Sequence, residues 1–336
     1  MNKVVKKLGL SLCLIVNSIY GQIATQTTET FSHGSQSFQM QFVKVGDAGN
    51  LGQNLGLSRN IGSVNYEYWV GKIEVDAFQI GVGNSSGTVG ITVADWNHRS
   101  YSFGNNPPAT GISWHEAARF VNWMNISKGY SPAYKFANNY GYIDLYGTYT
   151  GYNDMMKWDV SDAGFNASNP FRNSQAHYFL PSIDEWYKAA FYDPTLNSGN
   201  GGYWRFPTRS DTAPNPISSG DTGSVYGTQT GPANVDNAGS LSWYGTMAQG
   251  GNVWELQETA FDLTNDDIYE NRAWVGGGWD SSELELSSNF RISRAPGASN
   301  DEYGVGFRIA MVPEPSAFSL LAIGLGALAM IRRHRS

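Results

Sequence analysis

Few residues in this 336-residue chain are equipped for covalent or redox chemistry, and their spacing narrows the choice. The single cysteine, Cys13, lies in the N-terminal apolar run, so the body of the chain should hold no disulfide, no thiolate nucleophile and no cysteine-ligated metal. The five histidines, His33, His98, His115, His177 and His334, include no pair at i, i+3 or i+4, so no facial triad is visible; separated histidines converge only through the fold. Asp262, Asp266, Asp267 and Glu270 form an acidic cluster without the spacing or glycine of an EF-hand, which favours a solvated loop. Gly83-Asn84-Ser85-Ser86-Gly87 matches a hydrolase nucleophile elbow as a string, in a Gly/Ser-rich stretch with no helix after it.

The elements that must position any site are short. Ser113-Trp114-His115-Glu116 is a capping box, and Ala117, Phe120, Val121 and Met124 follow at helical spacing, predicting a helix from about 114 to 125 with His115 at the surface. Ser182-Ile183-Asp184-Glu185 repeats the signal, with Ile183, Trp186, Tyr187 and Ala190 as its stripe and Asp193-Pro194 as the stop. Strands are expected at Gln39–Val45, Tyr66–Val75 and Gly306–Met311, while most of 195–250 is Gly, Ser, Thr, Asn and Pro without a period. The expected fold class is α+β with little regular secondary structure.

Composition agrees. Charged residues are 15% and aromatics 14%, which excludes a coiled coil or a charge-rich disordered chain. The net charge is −7, and six of the basic residues (Lys3, Lys6, Lys7, Arg332, Arg333, Arg335) sit in the two ends, so the body is more acidic still. Nucleic acid is thereby a poor partner.

Both ends read as addresses. Residues 1–21 carry three lysines, the apolar run Leu8–Val16 and small residues at Ser18 and Gly21, the layout of a secretory signal peptide; 22–38 reads as a polar leader of the mature chain. At the other end Pro313-Glu314-Pro315 precedes the apolar Ala317–Ile331 and an Arg-rich terminus. Residues 313–336 thus resemble the PEP-CTERM sorting signal of Gram-negative bacteria, with a short transmembrane segment whose arginines mark the cytoplasmic side. The resemblance implies export through the inner membrane, processing by an exosortase-type membrane protease, and delivery to the cell surface or extracellular matrix. A permanent C-terminal anchor is the alternative, since the apolar length does not exclude it.

Between the ends, no repeat or linker divides 39–312, which is carried as one domain. Val70-Gly71-Lys72-Ile73-Glu74-Val75, Ile112–Ala117, Leu180–Trp186, Gly251-Asn252-Val253-Trp254-Glu255, Gly276-Gly277-Gly278-Trp279 and Gly306-Phe307-Arg308 stand in the order seen in the formylglycine-generating enzyme, or sulfatase-modifying factor, family, which this body resembles. The resemblance implies a variant of the C-type-lectin fold. It also implies an oxidase whose copper is held by two cysteines, at positions that fall near Ser281 and Leu286 here; neither binds copper(I), so copper is not expected. In the family the Gly251–Glu255 loop binds calcium, with Gly251, Val253 and Glu255 as the matching ligands and Ala248 standing where a further oxygen ligand is lost. A buried turn that needs no ion is the competing reading of that loop. Trp279, Ser281, Arg291 and Arg294 fall around the implied ligand groove, where an aromatic face and planar cations suit a polysaccharide or peptide; arginines bonding loop carbonyls are the alternative. The leading expectation is a non-catalytic binding or structural module; the alternative is an oxidoreductase-type enzyme of the same superfamily with an unrecognised metal site.

Overall fold

The computed structural model describes residues 25–91, 106–137, 155–296 and 304–313. The signal-peptide reading, Glu314 and Pro315 of the sorting motif and the apolar 317–331 segment fall outside these residues, as do His98 and His334. Among the described residues no helix is long and apolar enough to cross a membrane.

Strands β1 (Gln26–His33), β2 (Gln36–Val45), β3 (Tyr68–Gly71), β13 (Ala310–Met311) and β6 (Tyr178–Phe179) form one antiparallel sheet in the order β1-β2-β3-β13-β6. Alternation along β2 explains why both faces are covered. Phe38, Met40 and Phe42 enter the main core with helix α2 (Trp114–Ser127), while Val43 and Val45 pack on the other face with Tyr68, Val70 and Ala189 of helix α3 (Ile183–Phe191). A second sheet runs β11-β10-β9-β12, from Ile292–Arg294, Arg272–Val275, Trp254–Ala260 and Val305–Gly306, with β12 parallel to β9. Two small ribbons complete the set, β4 (Lys135–Phe136) with β5 (Met155–Met156) and β7 (Tyr192–Asp193) with β8 (Gly202–Tyr203).

Three expectations need correction. The polar leader placed ahead of the 39–312 domain is part of its sheet: Gln26–His33 pairs along β2 in unbroken register, and Phe31 is buried. Its Thr and Ser residues fit an exposed pleated face, so low hydrophobicity concealed a strand. His115 is buried, because Phe136 packs against the helix face that the sequence assigns to solvent. A third helix, α1 (Ala77–Asn84), precedes the two predicted ones; its signal was present as the capping box Asp76/Gln79. It also accounts for Gly83, where a Cβ would lie 2.9 Å from the Phe120 ring, so this glycine lets two helices approach and belongs to no nucleophile elbow.

Candidate functional site

The Gly251–Glu255 turn is stitched into the fold on every side. Gly251 adopts φ +93°, and a Cβ there would sit 2.3 Å from the Val225 carbonyl oxygen, so only glycine fits. Its N–H donates to Gly276 O at 2.8 Å, Asn252 N–H to Val225 O at 2.7 Å, and Trp279 N–H to Asn252 O at 2.9 Å. The Asn252 side chain accepts from Ala233 N–H at 2.8 Å and donates to Glu74 at 2.5 Å. Burial, and secondly the charge of Glu255, push Glu74 well above the usual carboxylate range, although Arg308 pulls the other way.

Glu255 itself is fully buried. One carboxylate oxygen accepts from Trp186 Nε1 and from Arg308 Nε, each at 2.6 Å, and the other accepts from Arg308 Nη2 at 2.5 Å. Arg308 spends its remaining reach on the carbonyls of Gly71 (2.8 Å) and Met247 (2.9 Å). This donor set does not fit a calcium ion held through Glu255, because a guanidinium already supplies the positive charge and, with the Trp186 indole, takes three of the about four acceptor directions of the carboxylate. Ala248, buried in an apolar cluster, adds no oxygen side chain. Calcium at about 10 mM, above the range of extracellular sites, is therefore expected to leave the melting temperature unchanged; a rise in differential scanning calorimetry would reinstate the ion.

The residues at the two implied copper positions are ordinary parts of the fold. Ser281 Oγ accepts from Gly278 N–H at 2.9 Å within a turn, and Leu286 is fully buried with Phe206 and Tyr226. Trp279 belongs to the core cluster of Val225, Met247 and Val253, against the backbone of Gly304. Arg291 stacks over Phe261 at 4.5 Å and lines an apolar slot with Trp186 and Phe290. That slot has about 40 Å³ of free space, enough for a few waters and too little for a sugar or peptide. Arg294 ends β11, in register with Arg272. Trp279, Ser281 and Arg291 are thus distributed over core, turn and slot, and do not converge on one cavity.

A second polar assembly escaped the sequence reading. Arg172 donates through Nε to Glu258 at 2.6 Å and through Nη1 and Nη2 to Glu185 at 3.0 and 2.8 Å, with its guanidinium 3.9 Å over the Phe179 ring. Tyr134 and Asn169 also donate to Glu258, and Tyr66 and the Ser182 amide to Glu185. Burial alone would raise Glu185, but the Arg172 charge and these bonds carry it below the ordinary carboxylate range. Arg172, Glu185 and Glu258 come from a loop, a helix cap and a strand, and no spacing signals their meeting.

Burial, then the charges of Arg119 and Arg272, push His115 down to about 3, and among the described residues neither ring nitrogen has a hydrogen-bond partner, an environment unsuited to proton transfer near neutral pH. Among the described residues no group of three or more His, Cys, Asp or Glu is placed to hold a metal. The acidic cluster is built of local turns, with Asp262 and Asp267 accepting from the amides of Thr264 and Tyr269.

Comparisons with known proteins accord with this architecture. Residues 56–312 match the family described as sulfatase-modifying factor enzyme 1-like domain, and residues 312–336 match the PEP-CTERM protein-sorting motif. Among solved structures, Treponema denticola variable protein 1 is similar at TM-score 0.53 and 18% identity, covering 85% of this chain and 99% of that one. CarF follows at TM-score 0.51 and 19% identity, covering 82% and 99%, and PvdO from Pseudomonas aeruginosa at 0.50 and 14%, covering 85% and 98%. At these identities the likeness shows the fold alone, an α+β arrangement of the formylglycine-generating-enzyme type. No curated protein matches the chain.

Proposed function

Since the chain belongs to the sulfatase-modifying factor enzyme 1-like family and ends in a PEP-CTERM motif, we propose that it is an exported, surface-sorted binding or structural module that has lost the formylglycine-generating chemistry. The observation that carries this reading is the pair Ser281 and Leu286. At the positions where the resemblance puts the copper thiolates, a hydroxyl closes a turn and an isobutyl group fills the core. Neither supplies the soft sulfur that copper(I) selects. An exosortase-type protease acts near Pro313–Pro315, and the apolar segment after it holds the precursor in the membrane until that cut.

The test is direct. The purified protein, incubated with copper, oxygen and a cysteine-containing sulfatase peptide, is expected to leave the thiol unoxidised. Formylglycine detected by mass spectrometry would overturn the proposal.

A further inference from the structure

Helix α2 and the stretch that follows it build a cleft that the functional reading above does not use. Its free volume is about 480 Å³, within the size range of small-molecule sites. Its walls include Trp123, Tyr134, Phe136 and Trp158, with Arg119 and Lys135 among them. The aromatic groups are fixed before any ligand arrives. Trp158 is pinned by its indole N–H on Ala133 O at 3.1 Å and by its backbone N–H on Pro170 O at 2.8 Å. Asn122, also in the wall, spends its amide on the Tyr134 backbone, at 2.7 and 2.9 Å, and the Tyr134 hydroxyl is bonded to Glu258.

Because these polar edges are already engaged, what the cleft offers a ligand is chiefly carbon and ring surface. The cation at its rim is compensated. Lys135 Nζ bonds Asp162 at 2.6 Å and lies 3.5 Å from Asp159, whose side chain is 71% exposed, while Arg119 lies over the Phe136 ring at 5.1 Å. Such a site does not select a strongly anionic molecule. It suits a ligand with polarised C–H faces to lay on electron-rich rings and with hydroxyls that bond one ammonium and one carboxylate at the rim. A peptide would bring more backbone N–H and C=O groups than the walls can pair.

From this geometry we infer that the cleft binds a neutral pyranose segment of a polysaccharide, with Trp158 as the stacking platform and the Lys135–Asp159 pair as the hydroxyl contact. The inference rests on the binding-module reading and gives it a ligand class and a place, away from Ser281 and Leu286.

The test titrates the full chain, in a sugar-free zwitterionic detergent, with cellohexaose, maltohexaose, mannohexaose and xylohexaose, and with an oligoguluronate as the acidic counterpart. Tryptophan fluorescence and calorimetry report binding. At least one neutral oligosaccharide is expected to bind, more tightly than the acidic one. Trp158→Ala should weaken it about tenfold, the scale of one lost stacking contact, while Trp158→Phe should retain most of the affinity and Lys135→Met should lose a smaller part. If Trp158→Ala fails to fold, the Trp158→Phe and Lys135→Met pair decides. Binding to none of the neutral sugars, tighter binding of oligoguluronate, or affinity unchanged by Trp158→Ala and Lys135→Met overturns the inference. In that last case the sugar-binding module stands and only this cleft is dismissed, whereas the formylglycine assay judges the loss of chemistry independently of any sugar.

Discussion

Replacing Arg308 by methionine is expected to cost about 3–5 kcal/mol of folding stability, the scale for breaking a buried ion pair from one side. Arg308 and Glu255 are both fully buried, and the guanidinium makes four hydrogen bonds. Its removal leaves the Glu255 carboxylate, among the described residues, with the Trp186 indole as its remaining donor, and leaves the carbonyls of Gly71 and Met247 without that partner. It also removes the cation that partly offsets the burial of Glu74. Pairing the change with Glu255→Leu takes out the orphaned charge as well. Urea denaturation should therefore find the double variant less destabilised than the sum of the two single ones, with a coupling of about 1–3 kcal/mol. Additive losses would show that the pair is not coupled. Since total stability is commonly about 5–15 kcal/mol, a single variant that does not fold fits the expectation, and the double variant then carries the measurement.

Arg172→Met is expected to have the second largest effect, and a distinctive one against pH. One guanidinium serves two buried carboxylates, so its loss at neutral pH should cost about 3–5 kcal/mol. In the parent protein the Glu185 pKa is lowered on folding. A lowered pKa contributes stability that is present above the unfolded carboxylate value, about 4.3, and lost as pH falls through the folded value. Without Arg172 the direction reverses, because burial then dominates and favours the protonated acid. The variant should consequently recover part of its deficit between pH 7 and pH 5, where the parent gains nothing from protonation at this site. Denaturation curves at the two pH values check this. A deficit that is small, or equal at both, would mean that Arg172 is not the group holding Glu185 ionised.

Glu255 and Arg308 stand 53 residues apart and Arg172 and Glu258 stand 86 apart, which is why the sequence named two of these four residues only as parts of motifs and ascribed a metal to one of them. Local signals behaved differently. The capping boxes at Ser113 and Ser182 are present as read, with the serine oxygen accepting from the amide three residues on and the glutamate returning to the serine amide. That information is complete within four residues, so the chain states it directly. The same holds for the ordered motifs that carried the family and the sorting tail, whereas the strand expected at Gly306–Met311 divides into β12 and β13, which belong to different sheets.

Burial and pairing are decided elsewhere. Whether His115 meets water depends on Phe136, twenty-one positions later and packed against it by the β4 segment. Whether Glu255 holds an ion or an arginine depends on Arg308, which the segment between β12 and β13 brings back from the far end of the chain. A carboxylate in sequence is one chemical object; in a low-dielectric interior its role is set by whichever charge is brought to it, because an unpaired one is too costly to keep. The sequence by itself therefore determined the caps, the class and the sorting motif of this protein, while the tertiary structure alone decided which of its polar side chains are locked as structure and which surfaces stay open.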